Sequence, residues 1–124
     1  SGHRMGTAEV ENAINEHSEV IESAVVGYPH DIKGEGIYAF VIINPESEND
    51  DIKNQITDVV RNVIGPIAKP DKIQIVSGLP KTRSGKIMRR ILRKVASNDI
   101  SNMGDTSTLL NPDIVKEIIQ GAVN

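Results

Sequence analysis

"ESAVVGYPHDIKGEGIYAFVII", Glu22–Ile43, holds two apolar runs around a break. ESAVVGY and IYAFVII are short and rich in Val, Ile, Ala and aromatic residues, the profile of strands. Between them, PHDIKGEG carries Pro29, Gly34 and Gly36, residues that turn a chain. Upstream, Thr7 is placed to cap a helix over about residues 8–17. Val10, Ala13, Ile14 and His17 fall on one face of it, and Glu9 and Glu11 suit its positive end. Downstream, NPESENDD is a polar, acidic loop. Residues 51–64 then set Ile52, Ile56, Val59, Val60 and Val63 on one side of an amphipathic helix, ended by Gly65-Pro66. DKIQIV reads as a short strand, SGLPKTRSG as a loop broken by Pro80, and KIMRRILRKVA as a helix beginning at Lys86. The order α-β-β-α-β-α predicts a small α+β domain, with a short, mostly antiparallel sheet of about three strands covered by helices. After a long connection, PDIVKEIIQGAV is a last helix capped near Asn111.

The chain has 124 residues, enough for one domain with a small core. Aromatics are only 2 %, so that core is aliphatic. There is no cysteine, which excludes disulfides and thiolate metal sites. No apolar run approaches the roughly 18 residues of a membrane span, and the start, SGHRMGTAEVE, lacks the apolar core of a signal peptide. A soluble, cytoplasmic protein is expected. The chain opens without Met and reads as a piece of something larger, unless Ser1–His3 is a tag remnant.

One feature runs against the formal net charge of −3. Leu79–Lys94, LPKTRSGKIMRRILRK, gathers seven Lys and Arg residues and no acid. Lys86 stands where a glycine-containing loop meets the predicted helix start, with Ser84 and Gly85 before it. Backbone N–H groups at such a junction favour an anion, and a lysine adds a mobile point charge with three donors. A phosphate or a carboxylate suits this chemistry; a solvated basic helix face is the plain alternative. It is not a Walker loop, which needs a second upstream glycine where Pro80 stands and a hydroxyl residue where Ile87 stands. A nucleic-acid-binding module is the rival of another class. The acidic balance and the lack of aromatics within the basic run oppose it. An unrelated carrier or interaction domain is a second rival. His30-Asp31 reads as turn chemistry without a nucleophile, and Tyr28, Tyr38 and Phe40 as core or sheet-face residues.

LPKTRSGKIMRRILRKVA resembles the C-terminal signature of the AMP-forming acyl-CoA synthetases, in its acetyl-CoA synthetase version. SGHRMGTAEVE resembles the segment after that family's interdomain hinge, and AVVGYPHDIKGEGIYAFV the hairpin that follows. SNMGDTSTLLNPDIV resembles a tail of the acetyl/propionyl branch. The resemblance covers nearly the whole chain. It implies that residues 1–124 are the small, mobile C-terminal lid domain, without the large N-terminal domain that binds ATP and the acyl group.

The implied reaction is acetate–CoA ligation. Acetate and ATP give acetyl-AMP and pyrophosphate, and CoA then gives acetyl-CoA and AMP, with Mg2+ among the cofactors. Propionate or another short-chain acid is the alternative substrate. By the same resemblance, Lys86 matches the catalytic lysine of adenylation and the family's reversible acetylation site. That makes a protein acetyltransferase and a deacetylase partners, beside the missing N-terminal domain. No nucleic acid or membrane partner is implied. Arg4 matches a nucleotide-contacting arginine, Ser1 and Gly2 positions beside the CoA pantetheine tunnel, and Arg61 an arginine near the CoA phosphate. Asn15, His17 and Val20 match a structural divalent-ion site made of one histidine and main-chain oxygens. The 124-residue piece alone is expected to fold but not to catalyse.

Overall fold

The computed structural model describes residues 6–30, 34–66, 68–100, 106–107 and 109–123. Ser1, Gly2 and Arg4, like Asp31, lie outside the described residues. The elements are α1 (Thr7–Ile14), β1 (Val20–His30), β2 (Gly34–Ile43), a 3-10 turn (Pro45–Ser47), α2 (Ile52–Val63), β3 (Lys72–Ile75), α3 (Arg89–Ala96) and α4 (Asp113–Gln120). Strand β2 is central in the order β1-β2-β3. It pairs antiparallel with β1 over its whole length and parallel with the short β3 from Tyr38↔Lys72 to Val41↔Ile75. The α+β class and the mostly antiparallel sheet expected from the sequence are therefore what forms.

Helices cover both faces, which is why β2 needs an almost unbroken apolar run. On one face Val25, Ala39, Val41 and Ile43 pack with Val10, Ala13 and Ile14 of α1 and Ile52, Ile56 and Val60 of α2. On the other, Ala24, Val26, Tyr28, Tyr38 and Phe40 pack with Leu92, Val95 and Ala96 of α3 and Ile118 of α4. The ring of Tyr38 stacks on Phe40 at 4.4 Å and meets Tyr28 edge-on at 6.2 Å, so these aromatics are core, as expected. Pro29 is tolerated because β1 is an edge strand, and its partner across the ladder is Glu35. Gly36 is required where it stands, since a Cβ there would lie 2.5 Å from the ring of Tyr28, its cross-strand partner.

Several boundaries differ from the sequence reading. The first helix stops at Ile14, and Gly6 rather than Thr7 is its N-cap. His17 therefore lies in the turn leading to β1, with its N–H bonded to the Ile14 carbonyl. Val63 does not face inward; it is 46 % exposed at the end of α2. The basic helix starts at Arg89, three residues later than its apolar spacing predicts, because residues 82–88 spend their backbone bonds on a hairpin. Asn111 does not cap α4, whose N-cap is Pro112.

Candidate active site

The segment around Lys86 is a closed hairpin. Lys81 and Ile87 form an antiparallel bridge. The Thr82 N–H donates to the Lys86 carbonyl at 2.8 Å, and the Gly85 N–H to the Thr82 carbonyl at 2.8 Å. Thr82 Oγ1 accepts the Lys86 N–H at 3.1 Å and lies 2.9 Å from Ser84 Oγ. Gly85 completes the turn at φ +90°, a left-handed conformation that glycine adopts without a Cβ clash. A turn followed by such a glycine is a standard way to close a three-residue hairpin loop. Leu79 is buried, and Pro80 accepts the Met88 N–H at 2.8 Å.

The basic run divides into framework and free charge. Lys81 Nζ pairs with Glu22 of β1 at 2.9 Å. Arg89 grips Glu11 of α1 with both terminal nitrogens, at 2.7 and 3.0 Å. The bonds to Glu11 raise the guanidinium pKa further. Lys94 lies 3.7 Å from Asp99. The side chain of Lys86 is exposed and has no ion-pair partner among the described residues. Its backbone is fixed and its ammonium is available, which suits it to meet an anion carried by another body.

Arg61 belongs to a different surface. It occupies the last turn of α2, where its Nε donates to the Pro66 carbonyl at 2.9 Å. With Asp58, Asn62, Ile64, Gly65 and Pro66 it lines an open depression that includes no hairpin residue.

The divalent-ion residues meet only in part. His17 Nδ1 accepts the Glu19 N–H at 3.1 Å, which puts the ring's own N–H on Nε2 and leaves no lone-pair nitrogen free for a cation. Asn15 turns its side-chain oxygen to Ser23 Oγ at 2.8 Å, so only its main chain is left to face a cation. Val20 is already in β1 and pairs with Ile43. Among the described residues no three His, Asp or Glu side chains converge. Such a donor set fits at most a weakly held ion, since hard cations take six or more oxygens.

Two residues of the site escaped the sequence reading. The sequence marks Glu11 only as a helix-end acid, but its Oε1 accepts the Val25 N–H at 2.9 Å as well as holding Arg89. Asn111 bonds the backbone at the root of the hairpin. Both act across long sequence separations, and no local pattern marks them.

The sequence profile described as "AMP-binding enzyme C-terminal domain" matches residues 9–86 and ends on Lys86. The chain belongs to this family. Acetyl-coenzyme A synthetase of Novosphingobium aromaticivorans is 62 % identical to this AMP-binding enzyme C-terminal domain over 120 residues, covering 96 % of it and 18 % of the relative. The enzyme of the same name from Alkalilimnicola ehrlichii is 61 % identical over 125 residues, covering 100 % and 19 %. Among solved structures, a Brucella canis acyl-CoA synthetase superposes with a TM-score of 0.70 at 41 % identity, covering 76 % of this domain and 18 % of that chain. The domain thus spans less than a fifth of the length of these curated relatives. Among its described residues no helix is long and apolar enough to cross a membrane.

Proposed function

We propose that this domain is the mobile C-terminal lid of an AMP-forming acetate–CoA ligase, a cytoplasmic enzyme that makes acetyl-CoA, AMP and pyrophosphate from acetate, ATP and CoA through acetyl-AMP. The observation that carries the reading is the exposed ammonium of Lys86, without an ion-pair partner among the described residues, on a hairpin whose backbone is closed by its own hydrogen bonds. Acetate and the α-phosphate of ATP repel each other. A cation placed between them offsets that repulsion and stabilises the charge that builds on the phosphoryl oxygens. Lys86 supplies this cation when the lid closes over the N-terminal domain. The lid then rotates for the CoA step and carries the lysine away.

In this reading Arg61 contacts the CoA phosphate, Ser1 and Gly2 border the pantetheine tunnel, and Arg4 reaches the nucleotide. ATP, CoA and Mg2+ are the cofactors. A separate divalent ion at Asn15, His17 and Val20 is structural. Acetylation of Lys86 by a protein acetyltransferase removes the charge and stops adenylation, and a deacetylase restores it.

The test replaces the matching segment of the Novosphingobium aromaticivorans acetyl-coenzyme A synthetase with this chain. Lys86→Ala in that chimera is expected to lower ATP–pyrophosphate exchange about 10²–10³-fold, while thioester formation from supplied acetyl-AMP and CoA largely survives. Equal loss in both half-reactions would remove the adenylation-specific role.

A further inference from the structure

The hairpin bearing Lys86 is held at its root by one side chain from much further along the chain. Asn111, 30 residues beyond Lys81, accepts the Lys81 N–H on Oδ1 at 3.1 Å. Its Nδ2 donates to the Leu79 carbonyl at 2.8 Å. These two bonds bracket Pro80, which has no N–H of its own to offer. The neighbouring Leu110 N–H donates to the Lys81 carbonyl at 2.9 Å. Residues 110–111 therefore bond to one side of Leu79–Lys81, while on the other side Lys81 faces Ile87 across the hairpin and the Met88 N–H bonds to the Pro80 carbonyl.

The surroundings are packed. Leu79 and Leu109 are buried. Next to the clamp, Ile114 packs so close to Gly78 that a Cβ there would stand 3.2 Å from its Cδ1. The segment that supplies the clamp lies beyond residues 9–86, the stretch the family profile matches.

We infer that Asn111 is a positioning residue for Lys86: its amide fixes the root of the hairpin so that the closing lid delivers the ammonium to one place. The inference rests on the adenylating role proposed for Lys86. An exposed lysine is flexible beyond its Cα, so the backbone sets where its charge can reach. A reactive group misplaced by about 1 Å loses on the order of 10²-fold in rate.

The test has two arms. In the 124-residue chain, hydrogen exchange is followed at the Lys81 and Met88 amides with the β2 amides as reference. Asn111→Ala should speed Lys81 exchange about tenfold, the equivalent of one lost hydrogen bond, and leave β2 unchanged. In the chimeric synthetase, the same substitution should lower kcat of ATP–pyrophosphate exchange by about 10²-fold with little change in KM for ATP. Thioester formation from acetyl-AMP should stay near the unsubstituted rate.

Asn111→Asp keeps the acceptor for Lys81 and loses the donor to Leu79. It should fall between the two, and it serves as the decisive variant if Asn111→Ala unfolds. Unaltered Lys81 exchange, or equal loss in both half-reactions, overturns the positioning role. Lys86→Ala that keeps full ATP–pyrophosphate exchange also overturns it, by removing its target. Faster Lys81 exchange in Asn111→Ala would then show that the reading of Lys86 had failed and not the clamp.

Discussion

Arg89 and Glu11 join the start of α3 to α1 through a two-pronged contact, Nη1 to Oε1 at 2.7 Å and Nη2 to Oε2 at 3.0 Å. Glu11 Oε1 also accepts the Val25 N–H, so one carboxylate ties α1, β1 and α3 together. The planar guanidinium matches the carboxylate in a way lysine cannot. The contact also fixes the helix that follows directly on the Lys86 hairpin.

The two halves of this pair should not cost the same to remove. The arginine side chain is 39 % exposed and the glutamate 17 %. Arg89→Ala leaves a carboxylate that still has Val25 and some water, and should cost within about 1 kcal/mol. Glu11→Ala strips the Val25 N–H of its acceptor as well and should cost about 1–3 kcal/mol. Urea melts of both variants decide this, and equal costs would mean that the Val25 bond contributes nothing.

Tyr38 should govern the alkaline limb of stability. Its ring is fully buried, and its hydroxyl donates to Gln74 Oε1 at 2.6 Å while accepting the Val123 N–H at 2.8 Å. Burial raises its pKa above the ordinary 10.0, an effect only partly offset by the Val123 bond. The folded protein keeps this proton longer than the unfolded chain does. Its contribution is therefore complete below pH 10 and lost progressively as pH rises from there towards the folded pKa. Tyr38→Phe should remove that dependence, and at neutral pH should cost about 1–3 kcal/mol by taking away the partners of Gln74 Oε1 and the Val123 N–H. Melts from pH 7 to 11 test it; an unchanged alkaline slope in the phenylalanine variant would assign that slope elsewhere.

What the sequence made legible was what repeats locally. The apolar runs of β1 and β2 and the spacing of Ile52, Ile56 and Val60 are periodic signals, and those elements form where they indicate. The start of α3 was misread for a physical reason. Ile87, Met88, Ile91 and Leu92 keep a helical period across the boundary, yet Thr82 captures the backbone of Lys86 and holds it extended. The basic run draws attention to Lys86, but its division into Lys81–Glu22, Arg89–Glu11 and a Lys86 with no ion-pair partner among the described residues is tertiary information. Asn111, 30 residues from its partner Lys81, could be read only as a helix cap until the fold brought the two together.

Gly85 should be less replaceable by alanine than by asparagine. At φ +90° it closes the turn between Thr82 and Lys86, and no atom lies within 4 Å of where a Cβ would stand. The obstacle is therefore backbone strain rather than a clash with neighbours. Alanine should cost about 1–2 kcal/mol, and asparagine, which visits this region more readily, less. Exchange of the Lys86 amide in the two variants measures the difference. Equal protection in both would show that the Thr82 bonds and not the glycine hold the turn.

Arg61 offers a test of the CoA side of the proposal that leaves the lysine hairpin untouched. Its Nε is committed to the Pro66 carbonyl, and the rest of the guanidinium is exposed beside an open depression. In the chimeric synthetase, Arg61→Ala should raise KM for CoA and barely change that for ATP. One charge-assisted contact is worth about 1.5–3 kcal/mol, so the rise should be about tenfold or more. Arg61→Lys keeps the charge but loses the bond to Pro66 and the fork, and should recover only part of the affinity. Because the residue is exposed on α2, the melting temperature should hardly move in either variant. An unchanged dependence on CoA, with the protein still folded, would leave Arg61 as a solvated residue that staples the end of α2 to Pro66.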